Sequence, residues 1–217
     1  AAGAATAGMS ASSYAAVSGA NNRVRVAVIG TRGMGRGHIR AYAALPDVEV
    51  AAICDVDEGI LARTVADMEN RGLRKPETHV DLRKLYEDKS IDAVSVATPN
   101  HWHALAGYWA VQAGKHATLE KPCTHNFFEG RQLIKASRRY GKFIQQHAER
   151  RSFAGMKSAV EFMRGGGLGE VYMAKGLCYK WRDTIGRKAP GPVPKGVNYD
   201  LWLGPAPQRD FTQNRFH

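Results

Sequence analysis

The fold of this chain is decided by residues 24–35, which read VRVAVIGTRGMG. The first six residues are mostly β-branched and apolar, which is typical of a buried strand. A glycine-rich turn comes next. Apolar residues then recur at helical spacing at Ile39, Tyr42 and Ala43, until Pro46 interrupts the pattern. The stretch therefore predicts a strand, a tight glycine turn and a helix.

The same alternation of strand and helix continues to about residue 146. Strands are predicted at residues 24–29, 48–54, 78–80, 93–97, 116–120 and 143–146. Helices are predicted between them, with Asp57 as one N-cap and with Asn126 and Glu129 in a capping-box pattern that opens another. Strands separated by helices of this length are joined by right-handed crossovers. The sequence therefore predicts an α/β fold with a doubly wound parallel sheet.

The glycine turn has the spacing of a dinucleotide-binding loop. In such a loop, one glycine makes the turn, one lets the backbone approach a pyrophosphate, and one allows the helix to pack on the strand. Arg32 stands at the second of these positions, with Gly33 beside it. Asp55 ends the second strand, 20 residues beyond Gly35, where a carboxylate accepts hydrogen bonds from ribose hydroxyls. NAD is favoured over NADP, because Asp55 would repel a 2′-phosphate, although Arg32 could pair with one. The predicted cofactor contacts here are Gly30, Thr31, Arg32, Gly33, Met34, Gly35 and Asp55.

Two later strands end in polar motifs at the same edge of the predicted sheet. They are residues 98–103, which read TPNHWH, and residues 120–122, which read EKP. Ligands of doubly wound sheets bind beyond the carboxyl ends of the strands. Lys121 could there donate to a substrate hydroxyl or to the nicotinamide amide, or it could be an ordinary surface lysine. No metal is predicted, because His101 and His103 have no accompanying ligand cluster. Further predicted cofactor contacts are Thr98, Pro99, Asn100, His103, Glu120 and Lys121.

Together these motifs resemble the Gfo/Idh/MocA oxidoreductases, the group that includes glucose–fructose oxidoreductase and inositol dehydrogenase. The resemblance runs from about Val24 to the end of the chain, and residues 120–122 are its most specific part. It implies an NAD(P)-binding Rossmann domain at residues 23–147. It also implies hydride transfer between NAD(P) and a sugar or polyol, with Lys121 catalytic or orienting the substrate. Some relatives instead use bound NAD to hydrolyse glycosides, and this hydrolase activity is the alternative function.

The pattern changes after residue 147. A helix is predicted at residues 156–164, a strand at residues 171–179, and a Pro- and Gly-rich connection at residues 183–210. By the resemblance, residues 148–217 begin an α+β open-sheet domain that is expected to be incomplete, with the general base beyond residue 217. In full length its sheet would support a homo-oligomer. Lys180, Trp181 and Arg182 are candidate sugar contacts, or equally ordinary sheet and loop residues.

Residues 1–22 carry no charged side chain and are rich in Ala, Gly, Ser and Thr. They resemble the later part of an export signal, with small-x-small patterns suited to cleavage. Their weak apolarity favours a twin-arginine route to the periplasm, although the arginine pair is not in the sequence. The alternative is a disordered tail on a cytoplasmic protein.

The net charge of +11 is the one unusual feature of the composition. It permits a nucleic-acid-binding function, since residues 131–164 hold nine Lys and Arg. Most of those on the predicted helix lie on its polar face, so solvation explains them better and no nucleic-acid partner is expected. Three cysteines without a CxxC pair exclude a disulfide scaffold and a cysteine zinc site. The chain has no apolar run long enough to predict a membrane span.

Overall fold

The computed structural model describes residues 23–216, so the predicted signal remnant at residues 1–22 and the last residue lie outside it. Six parallel strands form one sheet in the order β3-β2-β1-β4-β5-β6. The strands are β1 Val24–Ile29, β2 Val48–Cys54, β3 Glu77–His79, β4 Ala93–Val96, β5 His116–Leu119 and β6 Ile144–Gln146. The helices are α1 Gly33–Ala43, α2 Glu58–Asn70, α3 Leu82–Glu87, α4 His103–Gln112, α5 Phe127–Tyr140, α6 Glu149–Ser152, α7 Ala154–Arg164 and α8 Tyr199–Leu203.

Apolar cores cover both faces of this sheet. On one face, Val28 of β1 and Ile53 of β2 pack with residues of α1 and α2 such as Ile39. On the other face, strand residues such as Val96 pack with α3, α4 and α5. Strands buried on both sides are expected to be nearly continuous apolar runs, as β1 and β2 are. The predicted doubly wound parallel sheet is confirmed.

Side-chain caps begin two of the helices where the sequence predicted them. The Asp57 carboxylate accepts from the Ile60 amide at 3.1 Å, and the Asn126 side chain accepts from the Glu129 amide at 3.0 Å. The predicted capping box is completed differently, because Glu129 accepts from the amide of His125 at 2.7 Å rather than from Asn126. The carboxylate thus reaches one residue further back than a capping box requires.

The predicted strand at residues 171–179 is wrong. Residues 171–194 contain neither helix nor strand and are exposed throughout. A strand is stabilised by pairing with a neighbour, and no segment within residues 23–216 pairs with this one. Apolar side chains such as Val171 and Leu177 are therefore left in solvent.

The predicted connection at residues 183–210 is wrong in its second half, which contains α8. Tyr199 and Leu203 of this helix are buried against Phe211, and Trp202 and Phe216 pack on them. An isolated antiparallel bridge joins Val197 to Asp57, next to the end of β2. The chain therefore returns from the exposed segment to the carboxyl edge of the sheet. None of the helices within residues 23–216 combines the length and apolarity that crossing a membrane requires.

Candidate functional site

A cavity of about 560 Å³ opens at the carboxyl ends of β1, β2, β3 and β4. Its sheet side is formed by Gly30, Asp55, Val80 and Thr98, which follow or end those four strands. This is the crevice in which doubly wound sheets bind ligands. Its size is within the usual range for small-molecule and cofactor pockets. The predicted site motifs from three separate strands therefore meet at one place.

The glycine turn has the close contacts that a dinucleotide-binding loop requires. Gly30 has φ +82°, and a Cβ there would lie 2.7 Å from the carbonyl oxygen of Ala97. A Cβ on Gly35 would lie 1.8 Å from the carbonyl oxygen of Gly30. Gly33 has nothing within 4 Å of an added Cβ, so its backbone is open to a ligand. Thr31 is fully buried and Met34 is half-exposed.

Arg32 occupies the position of the second glycine, and its side chain lies to one side of the turn. Its guanidinium lies 2.7 Å from the Asp57 carboxylate and 5.0 Å above the ring of Phe216. Asp57 also caps α2, so the same carboxylate fixes both a helix start and the arginine. The side chain is thereby drawn to the β2 side of the crevice. Its pairing with Asp57 leaves it less available to a 2′-phosphate, which agrees with the preference for NAD.

Asp55 is held against the glycine turn. One carboxylate oxygen accepts from the amide and hydroxyl of Thr31 at 2.8 and 3.2 Å, and the other accepts from the amide of Asp57 at 3.1 Å. Burial raises the pKa of Asp55, and these hydrogen bonds and the charge of Arg32 partly offset the effect. Three of its roughly four acceptor positions are engaged. Asp55 also lines the cavity, so one acceptor position is left for a ligand.

The loop after β4 places Thr98, which has a buried hydroxyl, in the wall of the same cavity. Thr98 Oγ1 is inaccessible to solvent and has no hydrogen-bond partner among the described residues. A buried polar group of this kind costs free energy unless a ligand or water pairs with it. Pro99 and Asn100 follow and are exposed at the cavity rim.

His103 lies behind the loop that follows β4 and is not part of the cavity wall. Its ring nitrogens lie 2.8 Å from the carbonyl oxygen of Thr98 and 2.6 Å from that of Pro122. The side chain is buried and does not line the cavity. The predicted cofactor contact therefore ties the loop after β4 to the loop after β5. It also begins α4, as the sequence predicted.

Glu120 anchors the loop that carries Lys121. The glutamate is buried, and its Oε2 accepts from the Lys121 amide at 3.1 Å. Its Oε1 lies 3.2 Å from His38 Nε2 and 3.3 Å from His147 Nδ1. Lys121 itself is exposed, next to a cis peptide bond to Pro122. The structure thus holds the backbone of Lys121 while its side chain is open to solvent.

Sequence reasoning missed His38 and His147. His38 follows Gly35 by three residues and precedes Ile39, so helical spacing places it on the inward face of α1. A histidine on a buried helix face requires polar partners. The position of His38 in the sequence was therefore a signal for a buried polar contact. One ligand atom from each of His38, Glu120 and His147 lies within 4.8 Å of the others, so the three could hold a metal ion. The sequence predicts no metal site, and that prediction rests on His101 and His103 alone.

The remaining candidates are exposed. Lys180, Trp181 and Arg182 lie in the segment without regular structure, and Trp181 is 93% exposed. Their contact with a sugar stays a prediction. The basic residues of α5 lie on its solvent-exposed face, as the sequence predicted: Arg131, Lys135, Arg138 and Arg139.

The fold and this crevice define the class of protein, a dinucleotide-binding Rossmann domain, in which the loop after β5 exposes Lys121. Residues 24–147 match the Gfo/Idh/MocA family, described as an oxidoreductase family with an NAD-binding Rossmann fold. The chain belongs to that family.

Individual relatives agree with this membership. A glycosyl hydrolase family 109 protein of Shewanella pealeana is 33% identical over 123 residues, which cover 55% of this chain and 27% of the relative. An NAD-binding protein of Listeria innocua is 27% identical, with a TM-score of 0.59 over 68% of this chain and 42% of that chain. The WlbA dehydrogenase of Bordetella pertussis, solved with NADH and UDP-GlcNAcA, is 24% identical, with a TM-score of 0.61 over 69% of this chain and 44% of that one. The chain spans less than half the length of each.

The residues present fit NAD. Thr98 and Asp55 both line the cavity, and the Thr98 hydroxyl has no hydrogen-bond partner among the described residues. The open backbone at Gly33 begins α1, whose first turn contains no acidic residue. A helix N-terminus without such neutralisation favours the phosphates of a dinucleotide.

Proposed function

We propose that the whole protein transfers hydride between bound NAD and a hydroxyl or carbonyl carbon of a sugar or polyol. The observation that carries the proposal is the exposed Lys121, held by buried Glu120 at the sheet edge that also forms the nucleotide crevice. When bound, the nicotinamide ring supplies the hydride acceptor or donor. Sugar chemistry is also supported by the relatives, which include a family 109 glycosyl hydrolase.

The chain's own residues have separable roles in this proposal. Asp55 accepts from the adenosine ribose, and the amides at the start of α1 bind the pyrophosphate. Thr98 forms part of the wall against which the cofactor would lie. Lys121 donates a hydrogen bond to the reacting oxygen, which orients the substrate and stabilises charge that develops on that oxygen. His103 holds the loops after β4 and β5 together, and Glu120 holds the backbone of Lys121.

The test is a substrate screen on the full-length protein. Free sugars and polyols are added with NAD, and absorbance of reduced nicotinamide is followed. We expect a substrate-dependent increase that Lys121→Met reduces at least about 100-fold in kcat. NADH affinity should stay within about twofold, because Lys121 does not line the cavity at the ends of β1 to β4. Equal turnover by Lys121→Met would overturn the assigned role.

The second candidate is a glycoside hydrolase that oxidises and re-reduces its sugar on bound NAD. The sequence identity to family 109 proteins favours the hydrolase, whereas the EKP motif at residues 120–122 favours the dehydrogenase. The two differ in net redox change. A chromogenic glycoside cleaved by the full-length protein, with no net NADH produced, would select the hydrolase.

Export to the periplasm by a twin-arginine route is part of the proposal and rests on the composition of residues 1–22. That route carries folded proteins, and NAD is scarce outside the cytoplasm. We therefore expect the nucleotide to be bound before export and to cycle within the site. Denaturing the full-length protein from a periplasmic fraction should release nucleotide, and its absence would contradict this part.

A homo-oligomer is proposed for the full-length protein, through the sheet of its second domain. Light scattering during size-exclusion chromatography should give a mass above that of one chain. No nucleic-acid partner is proposed. Binding to a DNA duplex at low salt that falls steeply as salt rises would contradict this.

A further inference from the structure

Residues 195–216, which we name the strap, return to the crevice from the exposed segment. Their start is fixed beside Asp55. The Asn198 amide donates to the carbonyl of Val56 at 2.8 Å, and the Glu58 amide donates to the carbonyl of Gly196 at 2.9 Å. The strap therefore begins at the junction of β2 and α2, next to the ribose-binding carboxylate.

The centre of the strap is fixed on the loop after β4. Trp102 Nε1 donates to the carbonyl of Leu201 at 2.9 Å, and His101 Nε2 lies 2.9 Å from the carbonyl oxygen of Trp202. A Cβ on Gly204 would lie 2.2 Å from the Trp102 ring, so the backbone passes directly against the indole. These contacts span the crevice from β2 to β4.

The end of the strap closes on the glycine turn. Phe216 lies beneath the Arg32 guanidinium at 5.0 Å, and its ring centroid is 5.7 Å from that of Trp202. Trp202 in turn stacks on Tyr199 at 5.5 Å. The aromatic side chains thus form a continuous row that ends at the loop expected to hold the pyrophosphate.

We propose that the strap is the outer wall of the adenosine half of the NAD site, with Trp202 and Phe216 as nucleotide-contacting residues. The proposal rests on the proposed function only for the identity of the ligand. Leu201, Trp202 and Phe216 line the cavity that Asp55 and Thr98 line from the sheet side. NAD bound there would lie between the sheet and the strap, and loosening of the strap would speed its release.

The chemistry of this wall suits adenosine. The cavity borders the ends of β2 and β3, whereas Lys121, at the end of β5, is absent from its lining. Aromatic faces stack on purine rings regardless of hydrogen-bond pattern, and Asp55 supplies ribose recognition. A wall fixed at three places slows release, because its contacts must break first. Slow release is what an exported protein with a resident nucleotide requires.

The test measures NADH binding and dissociation by fluorescence in the full-length protein. We expect Trp202→Ala to weaken NADH binding about 10-fold or more and to speed dissociation by a similar factor. Phe216→Leu keeps apolar bulk but loses the arginine contact, and should speed dissociation by a smaller factor. The matched control is Phe128→Ala, on an α5 side chain that is 70% exposed, and it should change neither quantity.

Fragments of NAD can show which half of the nucleotide the strap contacts. ADP should protect Arg209 and Arg215 of the strap from trypsin, and nicotinamide mononucleotide should not. If the wild type fails to bind NADH, the proposed function fails. If it binds NADH but Trp202→Ala and Phe216→Leu leave its dissociation unchanged or slower, the strap is not the wall of the site and this inference is overturned. Circular dichroism identifies a misfolded Trp202→Ala, in which case Phe216→Leu decides.

Discussion

Nε2 of His38 lies 3.2 Å from Oε1 of Glu120, although 82 residues separate them in the chain. The other ring nitrogen of His38 lies 2.9 Å from the hydroxyl of Ser95 in β4. Glu120 in turn accepts from the amide of Lys121. The helix that opens at the glycine turn is thereby linked to the loop that carries the proposed reactive lysine.

Replacing His38 with Ala should destabilise the fold by about 1–3 kcal/mol, because a buried carboxylate and a buried serine each lose a hydrogen-bond partner. Urea unfolding followed by circular dichroism measures the change. His125→Ala, at an exposed position, should remain within about 0.5 kcal/mol of the wild type. Equal stability of the two variants would show that the His38 contacts contribute nothing.

Replacing Asp55 with Asn should weaken NADH binding about 10- to 100-fold, since a charged acceptor for the ribose hydroxyls is lost. Titration of the protein with NADH at neutral pH measures this.

The same titration should depend on pH. Burial raises the pKa of Asp55, so on acidification its carboxylate is protonated at a higher pH than an ordinary aspartate, which titrates near about 3.9. On acidification, NADH affinity should therefore begin to fall at a higher pH than it would with an ordinary aspartate. The Asp55→Asn variant should lack this part of the pH dependence. The stability of the free protein should depend on pH in the opposite direction to NADH affinity. Because the pKa of Asp55 is raised in the folded state, its contribution to the free energy of unfolding becomes more favourable as pH falls. A wild-type profile parallel to that of Asp55→Asn would contradict the assignment.

Two glycines of α1 should respond oppositely to Ala. Gly35→Ala places a Cβ 1.8 Å from the carbonyl oxygen of Gly30, so helix and strand must separate. We expect a loss of at least about 2 kcal/mol, and weaker NADH binding. Gly37→Ala meets nothing within 4 Å and should stabilise the helix by up to about 1 kcal/mol. Thermal unfolding of both variants is the measurement, and similar midpoints would contradict the packing described.

Two lysines six residues apart should also differ. Lys115 is 1% exposed, and its ammonium donates to the carbonyl oxygens of Asp88 and Ile91. Lys115→Met leaves both oxygens without that donor and should cost about 1–3 kcal/mol in the free energy of unfolding. Lys121→Met, at an exposed position, should cost less than about 0.5 kcal/mol. Denaturant unfolding compares them, and a Lys115→Met protein as stable as Lys121→Met would contradict this prediction.

Local sequence was sufficient for the elements of the nucleotide domain. Each strand and helix up to Gln146 is marked by its own periodicity or cap, and parallel crossovers have a single hand. That Gly30, Asp55, Thr98 and Lys121 all lie at one edge of the sheet follows from that topology alone. The predicted strand at residues 171–179 failed for a related reason: its stability depends on a partner strand, and periodicity says nothing about whether one pairs with it.

The sequence by itself therefore determined the fold class, the glycine turn and the acidic and lysine motifs at the strand ends, because these depend on neighbours close in the chain. Only the tertiary structure placed His38 against Glu120, turned His103 away from the cavity, and brought Trp202 and Phe216 back over the crevice. Those contacts join residues from 19 to 184 positions apart. Their formation depends on the packing of whole elements, and no local pattern of residue types encodes it.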